Sequence, residues 1–319
     1  MSIIEQATKR LEQLARAGIT VPWSATRAVH ASNAAERPGT GHPTQPNVAP
    51  PVLPVAGLTL PAYAVAGPDE QGRMRPKPAI EASLDLEALR AAGYLVPDQV
   101  RSNMAQQFRH LKRPLLKNAR AKSDTPDHRG TLIMVTSALP GEGKTFCAIN
   151  LAMSMAMEVD TAVLLVDADV VRPSVFDRVG IHAKPPGLLD LLTRDDLALH
   201  EALVATNIPK LSLMAAGAFN ERSTELLASA AMDRLLARLA ADYADHIVIF
   251  DTPPLLLTTE SSVLASKVGQ VVVIVEVSKT PRHTVQQAFA ALRNCPVVLS
   301  VLNKFDEPSE HGHYGYYYG

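Results

Sequence analysis

Residues 137–145 read SALPGEGKT; they follow the apolar run TLIMV at 131–135 and lead into AINLAMSMAM at 148–157, which has helical spacing. Strand, glycine-bearing loop and helix in that order form the setting in which a loop can hold phosphate. Gly141 and Gly143 permit backbone angles that side chains forbid, so successive N–H groups can turn inward around an anion. The next helix adds its free N–H groups and the positive end of its dipole. The loop reads A-x-x-x-x-G-K-T, with Ala138 where glycine is commoner. Lys144 would reach the outer phosphates and the Thr145 hydroxyl would bind Mg²⁺.

Outward from the loop, apolar runs alternate with helical patterns. Strands are expected at 131–137, 162–167, 211–216, 246–251, 270–277 and 296–302. Helices are expected at 144–157, 174–179, 187–193, 222–241, 258–267 and 282–293. Continuous β-branched runs mean strands buried on both faces, hence an α/β three-layer sandwich with a mostly parallel sheet. In such a sheet ligands sit beyond the carboxyl ends of the strands. VLLVDADVVRP places Asp167 and Asp169 at one such end, and HIVIFDTPP places Asp251 at another. A strand-end aspartate alone is read as a helix cap or turn former. Two such ends beside a phosphate loop are read as Mg²⁺ ligands, with a remaining carboxylate able to accept a hydroxyl proton.

The 319 residues divide into four parts. Residues 1–19 read as an amphipathic helix, docked on a protein surface or lying on a membrane. Residues 20–83 are a Pro-rich linker, expected to be disordered because missing N–H donors and few large apolar groups leave no core to form. The phosphate-binding domain is expected over 84–306, and a tyrosine-rich tail over 307–319. Within the domain, SLDLEALRAAG should form a short helix closed by Gly93. A longer helix should run from about Asp98, with Pro114 kinking or ending it and a basic later half. A net charge of -1 gives no field favouring nucleic acid, and Cys147 and Cys295 make no disulfide framework, which fits a reducing cytoplasm. No run is long enough to span a bilayer, and the start lacks the pattern of a signal peptide.

The three motifs SALPGEGKT, VLLVDADVVRP and HIVIFDTPP together resemble the Walker A, A′ and B motifs of the bacterial tyrosine autokinases (BY-kinases), of the deviant P-loop NTPase class. AAGAFNERSTELLAS and QQFRHLKR agree, the second with the E-x-x-R-x-x-R helix of ring assembly, although Gln106 replaces the acid and Lys112 the second arginine. Val171 stands where the family has arginine, with Arg172 one position later. DLEALRAAGYLVPD and FRHLKRPLLKNA look like the exosortase (XrtA)-associated subgroup, encoded with exopolysaccharide machinery. The resemblance implies an ATP- and Mg²⁺-dependent protein-tyrosine kinase. Lys144, Asp167, Asp169 and Asp251 would be catalytic. Pro140, Gly141, Glu142, Gly143, Lys144, Thr145, Phe146 and Asn303 would hold ATP, with Asn303 beside adenine. Thr145, Asp169 and Asp251 would hold the metal. Gln106, Arg109 and Lys112 would assemble a homo-oligomer. Tyr314, Tyr316, Tyr317 and Tyr318 would be the phospho-acceptors, most readily a neighbour's. It further implies a separate membrane polysaccharide co-polymerase-type activator, a tyrosine phosphatase, and a cytoplasmic chain held at the inner membrane through its partner.

Three other readings compete. A ParA/MinD-like ATPase switch would carry a second lysine early in the loop, where this chain has Leu139. NKFD at 303–306 matches a guanine-recognition motif, but DTPP at 251–254 lacks the D-x-x-G of a GTPase switch. A catalytically silent scaffold would have no need of the intact lysine and acids.

Overall fold

The computed structural model describes residues 77–121 and 129–305. The expected amino-terminal helix, most of the Pro-rich linker and the tail with its four tyrosines lie outside the described residues. Eight strands form one sheet: β1 (Ile80–Ala82), β2 (Leu132–Ser137), β3 (Ala162–Asp167), β4 (Leu203–Thr206), β5 (Leu211–Met214), β6 (His246–Asp251), β7 (Gln270–Glu276) and β8 (Val297–Asn303). Their order is β1-β4-β5-β3-β6-β2-β7-β8. β4 pairs antiparallel with β5 and parallel with β1, so these two run against the other six.

The six strands expected from the sequence are the six that run together. Their two-sided burial follows from the pleat. Ile133 and Val135 enter the core on one face, and Leu132 and Met134 enter it on the other. The first face packs against α1 (Leu86–Ala91), α2 (Asn103–Ala119), α3 (Lys144–Ala156) and α4 (Val175–Arg178). The second packs against α5 (Leu188–Thr193), α6 (Ser223–Ala228), α7 (Ala230–Asp242), α8 (Thr259–Ala265) and α9 (Arg282–Ala291). Three layers result. α3 is buried along nearly its whole length because α2 covers it from outside.

Several expectations change. β1 lies inside the stretch expected as linker, because its backbone completes the sheet edge at β4. Asp85 caps α1, accepting N–H bonds from Glu87 and Ala88 at 3.0 and 2.9 Å. The helix expected over 222–241 breaks at Ser229, which is extended (ψ 163°) and whose hydroxyl caps α7 at Met232 N–H. α2 starts at Asn103, capped by Ser102, and continues through Pro114. That proline is exposed, so the carbonyl it leaves without an N–H partner can face water.

Lys112 turns inward. It is buried, at 5% exposure, and its ammonium donates to the Ser154 carbonyl at 2.5 Å and pairs with Glu158 at 2.7 Å. A cation at the last turn of α3 also meets the negative end of that helix. The bond from Lys112 holds the Glu158 carboxyl below its ordinary pKa, against partial desolvation. Lys112 is therefore bonded inside the subunit, through its ammonium to the end of α3. Arg109 caps the preceding turn at the Val100 carbonyl (3.1 Å), and Gln106 is exposed. Lys112→Ala should cost about 2 kcal/mol by leaving a buried carbonyl without its charged donor. Gln106→Ala should cost less than about 0.5 kcal/mol. Urea unfolding of the two variants checks the contrast, and equal midpoints would contradict the inward role.

Candidate active site

The strand order brings the sequence motifs together. β3, β6 and β2 are neighbours, and Asp167 at the end of β3 is the register partner of Asp251 at the end of β6. The loop 138–143 leaves β2 at the same edge. Gly141 and Gly143 have φ of +83° and +98°, values that L side chains rarely adopt. A Cβ on Gly143 would also lie 2.2 Å from Asn303 Nδ2. α3 then begins at Lys144, with no side chain capping its first turn, so its N–H groups remain available to an anion.

Glu142 does not turn its side chain to the cleft. It is 2% exposed, and its carboxylate accepts the N–H of Leu139 at 2.6 Å, the N–H of Glu276 at 3.3 Å and the Thr280 hydroxyl. It fixes the loop to the end of β7. Asn303 also stands behind the loop. Its amide donates to the Glu142 carbonyl at 2.8 Å, at 4% exposure, and it is not among the described residues lining the cleft. Lys304, beside it, donates to the Gly141 carbonyl at 2.6 Å and pairs with Glu276 at 3.0 Å. An anion-binding loop turns its N–H groups inward, and Asn303 and Lys304 receive carbonyls that this turn leaves outside.

In front of the loop, Lys144 pairs with Asp169 at 2.8 Å, both largely buried. Asp167 is 1% exposed. Its Oδ2 accepts the N–H groups of Ser174 and Val175 at 2.8 and 2.9 Å, and its Oδ1 takes a longer bond, 3.3 Å, from Asp169 N–H. It thus does cap α4, the ordinary role for a strand-end aspartate. Burial, then the nearby Asp251 charge, outweigh those bonds and push its pKa up to about 7. Asp251 is wholly buried, and neither of its oxygens has a well-formed hydrogen bond. Burial pushes it up to about 6, although Lys144 and the nearby Thr145 hydroxyl oppose the rise.

A buried carboxylate without donors is costly unless something else satisfies it. Asp251, Asp169 and the Thr145 hydroxyl are hard oxygen donors of the kind Mg²⁺ takes, and the donor set fits that ion. Among the described residues no group of three or more His, Cys, Asp or Glu is placed to hold a metal. Mg²⁺ usually takes its remaining ligands from water and substrate phosphate. The cleft measures about 750 Å³ and is lined by Pro140, Gly141, Gly143, Lys144, Thr145, Phe146 and Asp169. Arg172, Ser174, Arg178 and Lys304 also face it. Sequence reasoning missed Arg178 and Lys304. The only signal for Arg178 was its place on a short helix directly after the Asp167 motif.

The chain resembles known proteins over this same region. The family model described as an AAA domain matches residues 130–296, just over half of the chain. The tyrosine-protein kinase YwqD of Bacillus subtilis (strain 168) is 32% identical over 192 residues, covering 60% of this chain and 79% of that one. The putative tyrosine-protein kinase EpsB of Ralstonia nicotianae is 31% identical over 60% of this chain, which spans only 25% of the longer relative. The solved BceF tyrosine kinase domain superposes with a TM-score of 0.56 at 25% identity, over 72% of this chain and 93% of that one. The phosphate loop, the paired strand-end acids and these likenesses fall on one stretch of chain, which belongs to the bacterial tyrosine-protein kinases of the P-loop class.

Proposed function

We propose that this chain is an ATP- and Mg²⁺-dependent tyrosine autokinase. It phosphorylates Tyr314, Tyr316, Tyr317 and Tyr318, a neighbour's in preference to its own, within a homo-oligomer. Through them it regulates exopolysaccharide synthesis or export alongside a membrane activator and a phosphatase. The observation that carries the chemistry is the register pairing of Asp167 with Asp251 next to Lys144 and Thr145. Asp251, buried without hydrogen-bond donors, suits a metal ligand, and Asp167, with its pKa pushed up to about 7, suits a proton acceptor.

In this reading the backbone of 141–145 and Lys144 hold the outer phosphates, and phosphate competes with Asp169 for the Lys144 ammonium. Mg²⁺, held by Thr145, Asp251 and Asp169, would supply charge neutralisation on the phosphate oxygens. Asp167, with a pKa near neutrality, takes the phenolic proton. The tyrosine oxygen forms its bond to the terminal phosphorus, and the bond from that phosphorus to the bridging oxygen breaks with release of ADP. A second hollow of about 700 Å³, bordered by Asp167, Ser174, Pro186 and the exposed Phe219, adjoins the first and has room for an acceptor ring.

Mass spectrometry after incubation with Mg·ATP tests the proposal. Phosphotyrosine on the last six residues is expected. None, even with the membrane activator present, would sink the kinase reading in favour of an ATPase switch. Deleting 314–319 should leave ATP binding intact and remove most of the incorporated phosphate; phosphate that persists would move the acceptor elsewhere.

A further inference from the structure

Tyr94 is 6% exposed and lies in a short strap, 94–96, that follows α1. Its ring stands 5.2 Å from that of Phe146, tilted by 38°. Phe146 is in the first turn of α3, next to Thr145, and is the one aromatic side chain among the described residues that line the cleft. The two segments are joined through Asn150, which has no exposed surface. It accepts the N–H of Leu95 at 2.6 Å and donates to the Phe146 carbonyl at 2.8 Å. Leu95 and Val96 are also fully buried. The Phe146 ring is therefore backed on one side and its backbone pinned, while part of it remains exposed to the cleft.

The phosphate end of the cleft is marked by Gly141, Gly143 and Lys144, and none of those groups can recognise a nucleoside. A purine presents a flat π-surface, and aromatic faces bind such surfaces regardless of sequence or hydrogen-bond pattern. We propose that Phe146 is the platform on which the nucleotide base packs, and that Tyr94 is a positioning residue that holds the platform in place. The inference rests on the nucleotide-binding part of the function proposed above. It makes the strap before the catalytic core a determinant of nucleotide affinity, although the strap contributes nothing to phosphate binding.

Calorimetry on the full chain with Mg·ATP and with Mg·tripolyphosphate separates the base from the phosphates. Phe146→Leu keeps apolar bulk but removes the ring, and should weaken ATP roughly tenfold while tripolyphosphate changes less than about twofold. Tyr94→Leu should show the same split at smaller size, and Tyr94→Phe should bind both ligands as the parent does. Equal weakening of the two ligands would mean a merely structural role and overturn the proposal, as would ATP affinity unmoved by Phe146→Leu. A parent chain that binds neither ligand would overturn this inference together with nucleotide binding itself. ATP binding with the expected split but no phosphotyrosine would sink the kinase reading alone.

Discussion

Lys144→Ala is expected to abolish tyrosine phosphorylation, lowering the rate by at least roughly 10²–10³-fold, as loss of a positioned charge at a transferring group does. Two effects combine. The cation that would meet the outer phosphates is gone, and Asp169, 4% exposed, loses the ammonium that pairs with it at 2.8 Å. The second effect is a stability loss, because a buried carboxylate left without its partner is strongly unfavourable. Phosphate incorporation and the thermal midpoint should therefore be read on the same preparation. A folded variant that retains phosphotyrosine would remove Lys144 from the machinery.

Asp251→Asn should move stability and function in opposite directions. Asp251 and Asp167 have pKa values raised to about 6 and about 7 from an ordinary 3.8. At low pH both are protonated in the folded and unfolded chain alike, and neither opposes folding. As pH rises from about 4 towards 7, the unfolded chain ionises first while the folded chain retains its protons, so stability falls across that window. Asparagine cannot ionise, and it also removes the charge that pushes Asp167 upward. Without nucleotide or metal, the variant should be more stable than the parent by about 2 kcal/mol at pH 8, converging with it near pH 4. Mg²⁺-dependent ATP binding should weaken by at least roughly tenfold through loss of the ligand. Denaturation at several pH values, paired with calorimetry, reads both. A variant less stable than the parent at pH 8 would show that the Asp251 carboxylate is satisfied after all.

The parallel core of the sheet was legible because TLIMVTS, AVLLVD and QVVVIVEV can be buried on both faces only between two helix layers. β1 and β4 were not legible. They are three and four residues long, too short for an alternation to register, and they exist because the sheet edge receives them. At the site, the clustering of Lys144, Thr145, Asp169 and Asp251 followed from their positions at strand ends. The direction of a charged side chain did not. Glu142 and Lys112 read as surface or ligand groups, yet each is buried and bonds to partners far along the chain. For Glu142, two of them stand 134 and 138 residues away. Tyr94 lies within the quoted stretch DLEALRAAGYLVPD, but nothing there pointed to its contact with Phe146, since a contact between a strap and a helix turn leaves no local spacing to read. Asp167 shows the opposite case. Its capping role and its place in the acid pair were rival readings of one residue, and the geometry holds both.

The bracket formed by Asn303 and Lys304 has a mechanical consequence. Asn303 ends β8 and Lys304 follows it, and the chain beyond them leads to the tyrosine tail. Any load on that carboxyl end enters β8 and passes directly into the Gly141 and Glu142 carbonyls. In the proposed trans arrangement, a subunit holding its neighbour's tail would therefore pull on the rim of that neighbour's phosphate loop, through carbonyls that face away from the bound anion.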